Sequence, residues 1–182
     1  METVGDDVTA GIEDDAGTLV NVSTHSSEQG LLAAVSSFVA ERCCGRDVLL
    51  VAFNGETWSG GFDVPFLRTR FARVGLPWPF DDVAYADLLP VISDRFNTTV
   101  DGDVQNGLAR AYTVLCDASY GALDPFDDSE EAVTAFEDGR FDELVRHNVA
   151  DVLRTKALGR VAERYCAKSE FQVKSLTPTR EP

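Results

Sequence analysis

Three groups of residues carry side chains whose type and spacing suit chemistry. In His147-Asn148-Val149-Ala150-Asp151 an imidazole and a carboxylate stand four positions apart. On a helix that spacing puts both on one face, with Thr155 one turn further on. Such a pair either moves protons at a site or forms a solvated helical ion pair worth about 0.3–0.5 kcal/mol. The second group is Asn54-Gly55, then Phe62-Asp63-Val64-Pro65-Phe66-Leu67 and Arg70. A loop and a helix start there follow an apolar run, the edge of an α/β sheet where ligands bind. Asp63 is either a cap worth about 1 kcal/mol or a functional carboxylate. The third is Asp87 in Ala86-Asp87-Leu88-Leu89, which reads as the cap of the next helix.

The elements that must position these groups follow from periodicity and punctuation. Thr18 to Ser23 alternates and is β-branched, which predicts a short strand. A helix is expected from Glu28 to Arg42, capped by Ser26 or Ser27, with Leu31, Leu32, Val35, Phe38 and Val39 on one face. Asp47 to Phe53 is nearly continuous in apolar residues, as in a strand buried on both faces. A Gly-rich loop follows, then a helix with Pro65 in its first turn that stops at Gly75. Val83 to Asp87 reads as extended, Leu88 to Arg95 as helix, and 97–106 as a polar loop. Further helices are expected around Gly107 to Cys116, from a capping box at Asp128-Ser129-Glu130-Glu131 to Gly139, and from Phe141 to Tyr165. The last has Leu144, Val145, Val149, Val152, Leu153, Leu158 and Val161 at helical spacing, and its apolar face is the expected core side.

This is an α/β pattern without internal repeats. It divides into an acidic N-terminal arm (1–17), one domain (18–166) and a C-terminal tail (167–182). The 182 residues suffice for a single core. Apolar runs such as Val48 to Phe53 fall far short of the ~18–20 residues of a membrane span. The start, Met-Glu-Thr-Val-Gly-Asp-Asp, shows no basic or apolar leader, so a cytoplasmic protein without membrane partners is expected. Cys43, Cys44, Cys116 and Cys166 form no Cys-x-x-Cys, and are expected as reduced thiols in the core.

Thirty-one acidic residues face 16 basic ones, a net charge of −15, and the only lysines are Lys156, Lys168 and Lys174. Acid spread along the whole chain matches proteins of salt-in halophiles; the rival reading is an acidic partner-binding surface in a low-salt cell. In molar salt the Debye length is ~3 Å, so carboxylate repulsion is screened. The counterion-release term of nucleic-acid binding is weak there for any protein. An acidic chain therefore does not exclude a nucleic-acid substrate, which would be held by local Arg, bound metal and stacking.

Taken in order, Asn54-Gly55, Phe62-Asp63-Val64-Pro65-Phe66-Leu67, Asp87-Leu88 and His147-x-x-x-Asp151 resemble the second and third motifs of the DEDD 3′–5′ exonucleases. Within that RNase H-like superfamily the likeness is to a branch whose second motif reads Tyr-Asn-Gly…Phe-Asp-x-Pro. It spans roughly residues 28–165. The resemblance implies an RNase H-like mixed sheet flanked by helices. It also implies two Mg²⁺ or Mn²⁺ ions held by four carboxylates about the scissile phosphate. Asp63 and Asp151 would be ligands, His147 would face the attacking water, Asn54 would steady the backbone, and Arg70 would contact substrate. Trp58 would stack a base or cover the sheet edge.

The family's first motif, Asp-x-Glu, is not found. The nearest text is Gly11-Ile12-Glu13-Asp14-Asp15-Ala16-Gly17, which offers Glu13 as the third metal ligand. Either the first strand lies upstream of Met1, or it has been lost or truncated together with part of the metal site. The expected function is a metal-dependent 3′–5′ exonuclease acting on single-stranded DNA or RNA ends. The alternative is an inactive RNase H-like module that binds nucleic acid or a protein partner. No Gly-x-Ser-x-Gly, P-loop or Gly-x-Gly-x-x-Gly supports other hydrolytic chemistry.

Overall fold

A computed structural model describes residues 23, 25–56, 63–117, 119–127 and 129–179. Glu13, Trp58 and nearly all of the strand expected at Thr18 to Ser23 lie outside these residues. Helix α1 is Glu28–Arg42, the span read from the sequence, and the Ser27 hydroxyl caps it by accepting from the Gly30 N–H at 3.2 Å. Strand β1 (Leu49–Ala52) leads through α2 (Asp63–Val74) to β2 (Ala84–Asp87), which runs parallel to it. Val74 is followed by Gly75 at φ +73°, a left-handed stop that favours glycine. Helix α3 (Leu88–Arg95) begins directly from β2.

The segment read as a polar loop instead contains a two-residue-per-arm hairpin, β3 (Thr99–Val100) and β4 (Asp103–Val104). Asp101 and Gly102 both have positive φ, the Asp-Gly turn that matches strand twist. Then come α4 (Leu108–Leu115), α5 (Ser129–Glu137) and the 25-residue α6 (Phe141–Tyr165). After Cys166 the tail is built into the fold. A 3₁₀ turn (Lys168–Phe171) precedes β5 (Lys174–Ser175), which pairs antiparallel with β2. Leu176 is buried, and its carbonyl accepts from the Trp78 indole N–H at 3.1 Å.

The described protein is thus mixed α/β, with a sheet ordered β1-β2-β5. Two cores flank it. Val51 and Phe53 pack against Leu88, Ile92, Tyr112 and Leu158 from α3, α4 and α6. Leu50 and Ala52 pack against Val39, Val64, Val83 and Tyr85. Alternate residues of β1 therefore meet opposite cores, which is why its sequence is apolar without a break. The strand is only half-buried, however, and Leu49 is 41% exposed, because β1 stands at the edge of the described sheet. The four thiols are free and pack partly buried against the two cores. No described helix is long and apolar enough to cross a membrane.

Helix α6 corrects the expected core face. Its buried stripe is Ala150, Arg154, Leu158 and Ala162, at strict four-residue spacing, whereas Val152 is 64% exposed. The stripe lies beside His147 and Asp151 rather than opposite them, which draws both toward the interior.

Candidate active site

The register places Ala52 opposite Asp87, so β1 and β2 end together, and both leave the sheet at one edge. Asp87 organises that edge. Its carboxylate caps α3 by accepting from the Leu89 N–H at 3.0 Å, as the sequence suggested. It also accepts from the backbone N–H groups of Asn54 (2.8 Å) and Glu56 (3.2 Å), across 33 and 31 residues. Asn54 takes φ +63°, a conformation asparagine tolerates better than most residues. Asn54 thus meets this edge through its backbone N–H, while its side-chain Oδ1 is buried without a hydrogen-bond partner. The Gly55 carbonyl accepts from the Val64 N–H at 3.0 Å and ties this turn to the start of α2.

Gly55 is required for space. A Cβ there would stand 2.7 Å from both the Ala52 Cβ and the Tyr85 hydroxyl oxygen, and Tyr85 is fully buried. Gly55→Ala is expected to cost about 1–3 kcal/mol, the range of core overpacking, read by urea unfolding. An unchanged midpoint would show that the turn moves freely away from Tyr85.

Asp63 and Asp151 share one cavity of about 880 Å³, lined also by Val51, Phe53, Thr155 and Lys156. Desolvation, and secondarily the Asp87 carboxylate, push the Asp63 carboxyl above its ordinary value, so a nearby cation would favour its charged form. Arg70 is elsewhere: it pairs with Glu28 of α1 and its guanidinium lies 5.7 Å from the Phe66 ring centroid.

His147 is not the solvated partner of Asp151. Its side chain is 16% exposed, and Nδ1 lies 2.9 Å from Asp124 Oδ1, nearer than Nε2 lies to Asp151 Oδ2 (3.7 Å). Arg154, one turn beyond Asp151, donates from one nitrogen to Asp124 Oδ2 (2.5 Å) and to Asp151 Oδ1 (3.0 Å). Burial opposes the charge of Asp124, but hydrogen bonds from His147, Arg154 and the Phe126 N–H outweigh it and hold the carboxyl below its ordinary value. The Phe126 ring closes the cluster, 5.4 Å from the His147 ring centre.

Asp124 and Arg154 escaped the sequence reading. Asp124 stands before Pro125 and its Oδ1 accepts from the Phe126 N–H at 3.2 Å, so it looks like an ordinary turn residue. Arg154 did carry a signal, since it shares the four-residue spacing of Ala150 and Leu158.

No protein-family model, curated protein or solved structure matches this chain. The site geometry therefore carries the functional argument.

Proposed function

We propose that this chain is a divalent-metal-dependent, 3′–5′ exonuclease-like protein of RNase H-like type, acting on ends of single-stranded DNA or RNA. The observation that carries the reading is that Asp63 of α2 and Asp151 of α6 line one cavity. That cavity runs along β1 from Leu49 to Phe53, and the carboxyl end of such a strand is where α/β sheets bind ligands.

The donor set fits a hard cation. Asp63 and Asp151 offer carboxylate oxygens, the ligands that Mg²⁺ and Mn²⁺ prefer. Such an ion supplies Lewis-acid stabilisation of charge at a scissile phosphate. Asp151 keeps Oδ2 for this work while Arg154 holds Oδ1. His147, beside Asp151, would accept a proton from an attacking water. Asp87 and Asn54 hold the edge in shape from behind. Glu13 as a further ligand and Trp58 as a stacking platform belong to the same proposal, as does a cytoplasmic setting; Arg70, paired with Glu28, does not.

The Arg154–Asp151 bond favours a second reading, an inactive module that binds nucleic acid or a protein partner. One guanidinium there already answers part of the carboxylate charge that a metal would answer.

The deciding experiment follows 3′-labelled single-stranded DNA and RNA with Mn²⁺ in molar KCl. Stepwise shortening is expected, falling ~10²–10³-fold in Asp63→Asn and in Asp151→Asn, as for loss of several kcal/mol of metal-derived stabilisation. A wild-type rate no greater than that with chelator would overturn the nuclease reading in favour of the second.

A further inference from the structure

We propose that Asp124 is a positioning residue, holding neutral His147 as the Nδ1–H tautomer so that Nε2 keeps its lone pair toward Asp151. The consequence for catalysis rests on the nuclease reading above, whereas the tautomer itself does not.

The side chain of Asp124 is 6% exposed and that of Arg154 is 7% exposed. Arg154 gives an N–H to Asp124 Oδ2, and a guanidinium has only donors to offer. Beside that cation the buried carboxylate has no proton of its own, so its other oxygen can only accept. Oδ1 accepts from the Phe126 N–H at 3.2 Å and faces His147 Nδ1 at 2.9 Å. The proton between Oδ1 and Nδ1 must therefore belong to the ring. A neutral imidazole carries one N–H, so Nε2 is bare.

The bare nitrogen faces an acceptor. With the ring neutral, Nε2 lies 3.7 Å from Asp151 Oδ2 and carries no hydrogen of its own. Two converging acceptors at that separation suit a group that donates to both, as a water does. Asp151 also lines the cavity to which Asp63 contributes. Asp124 reaches the ring from the segment before α5 and Asp151 from α6 itself, and Arg154 of α6 bonds to both carboxylates. Arg154 bridges the two carboxylates, so it fixes the orientation of Asp124 and, through it, that of the ring.

The test is spectroscopic first. The chain has two histidines, so His147→Gln assigns the His147 ring signals unambiguously against those of His25. Long-range proton–nitrogen correlation on the full chain, in molar KCl at alkaline pH, reports which ring nitrogen is protonated. The expected result is His147 as the Nδ1–H form in the wild type. In Asp124→Asn the amide oxygen turns to Arg154, because a bond to a charged donor is the stronger one. Its NH₂ group then faces Nδ1, and His147 inverts to the Nε2–H form. In that variant kcat for 3′ shortening is expected to fall ~10²-fold, the scale of general-base catalysis. KM should stay within about twofold, since uniform substrate binding is untouched.

A wild-type His147 protonated at Nε2, or evenly mixed, overturns the proposal without any variant, so a poorly folded Asp124→Asn cannot protect it. Inversion of the tautomer with kcat unchanged overturns the catalytic consequence. A wild type without nuclease activity defeats the nuclease reading, and the ring signals still decide what Asp124 does.

Discussion

Arg154→Met is expected to lower the stability of the folded protein by about 3 kcal/mol, the low end of the cost of stranding one partner of a buried ion pair. Methionine keeps most of the length of the arginine stem, so the buried stripe of α6 retains its packing against α3 and α4. What goes is the cation that answers Asp124, whose side chain is 6% exposed. His147 and the Phe126 N–H remain as partners, which holds the loss below the upper end of the range.

The pH dependence separates a lost charge partner from lost packing. In the wild type the Asp124 carboxyl sits below its ordinary value, so it contributes stability above the unfolded pKa of ~3.9 and loses that contribution as pH falls through the folded value. Removing Arg154 raises the folded pKa, so acid costs the variant less than it costs the wild type. The stability gap measured by urea unfolding in KCl should narrow as pH falls below about 4, toward the wild-type folded value. A pH-independent gap would assign the effect to packing. A gap of under about 0.5 kcal/mol at pH 7 would put Arg154 among ordinary surface substitutions.

Much of the scaffold was legible because its signals are local. α1, α3 and α6 have the bounds that spacing and capping gave, since a Ser27 or Asp87 cap is written within a few residues. The expected apolar face of α1 is corrected, for only Leu32 and Val39 are buried while Leu31 and Phe38 are exposed. The hairpin was missed although Asp101-Gly102 is its turn, because arms of two residues offer no period to read. The core face of α6 was misplaced for another reason. A buried Arg154 reads as a solvent-facing cation, and its burial becomes intelligible only once Asp124 arrives from 30 residues away. The same holds for the candidate site. The sequence order of Asp63, Asp87, His147 and Asp151 showed which types to watch, and the structure put Asp63 and Asp151 on one cavity. It could not show that His147 turns to Asp124, since no spacing rule links a turn residue to a helix 23 positions on.

Asp87→Ala has the second large effect expected, about 3 kcal/mol of stability, concentrated at the site edge. The carboxylate is 9% exposed and serves three backbone donors at once. Loss of the α3 cap accounts for about 1 kcal/mol. The N–H groups of Asn54 and Glu56 then lose their acceptor in a partly buried turn, at about 1 kcal/mol each, the lower end for an unsatisfied group. Because Asn54 is held in a left-handed conformation, the turn has little reason to keep its shape once released. Asp87→Asn keeps one acceptor oxygen and should recover about half of the loss. Amide exchange locates the damage: protection should drop at Asn54, Glu56 and Leu89 while the Leu158 amide in α6 follows global stability. Uniform loss across all four amides would mean that Asp87 only stabilises the fold. Selective loss at the turn, with Asp63 displaced from Asp151, would show that one buried carboxylate shapes the edge on which the proposed metal ligands depend.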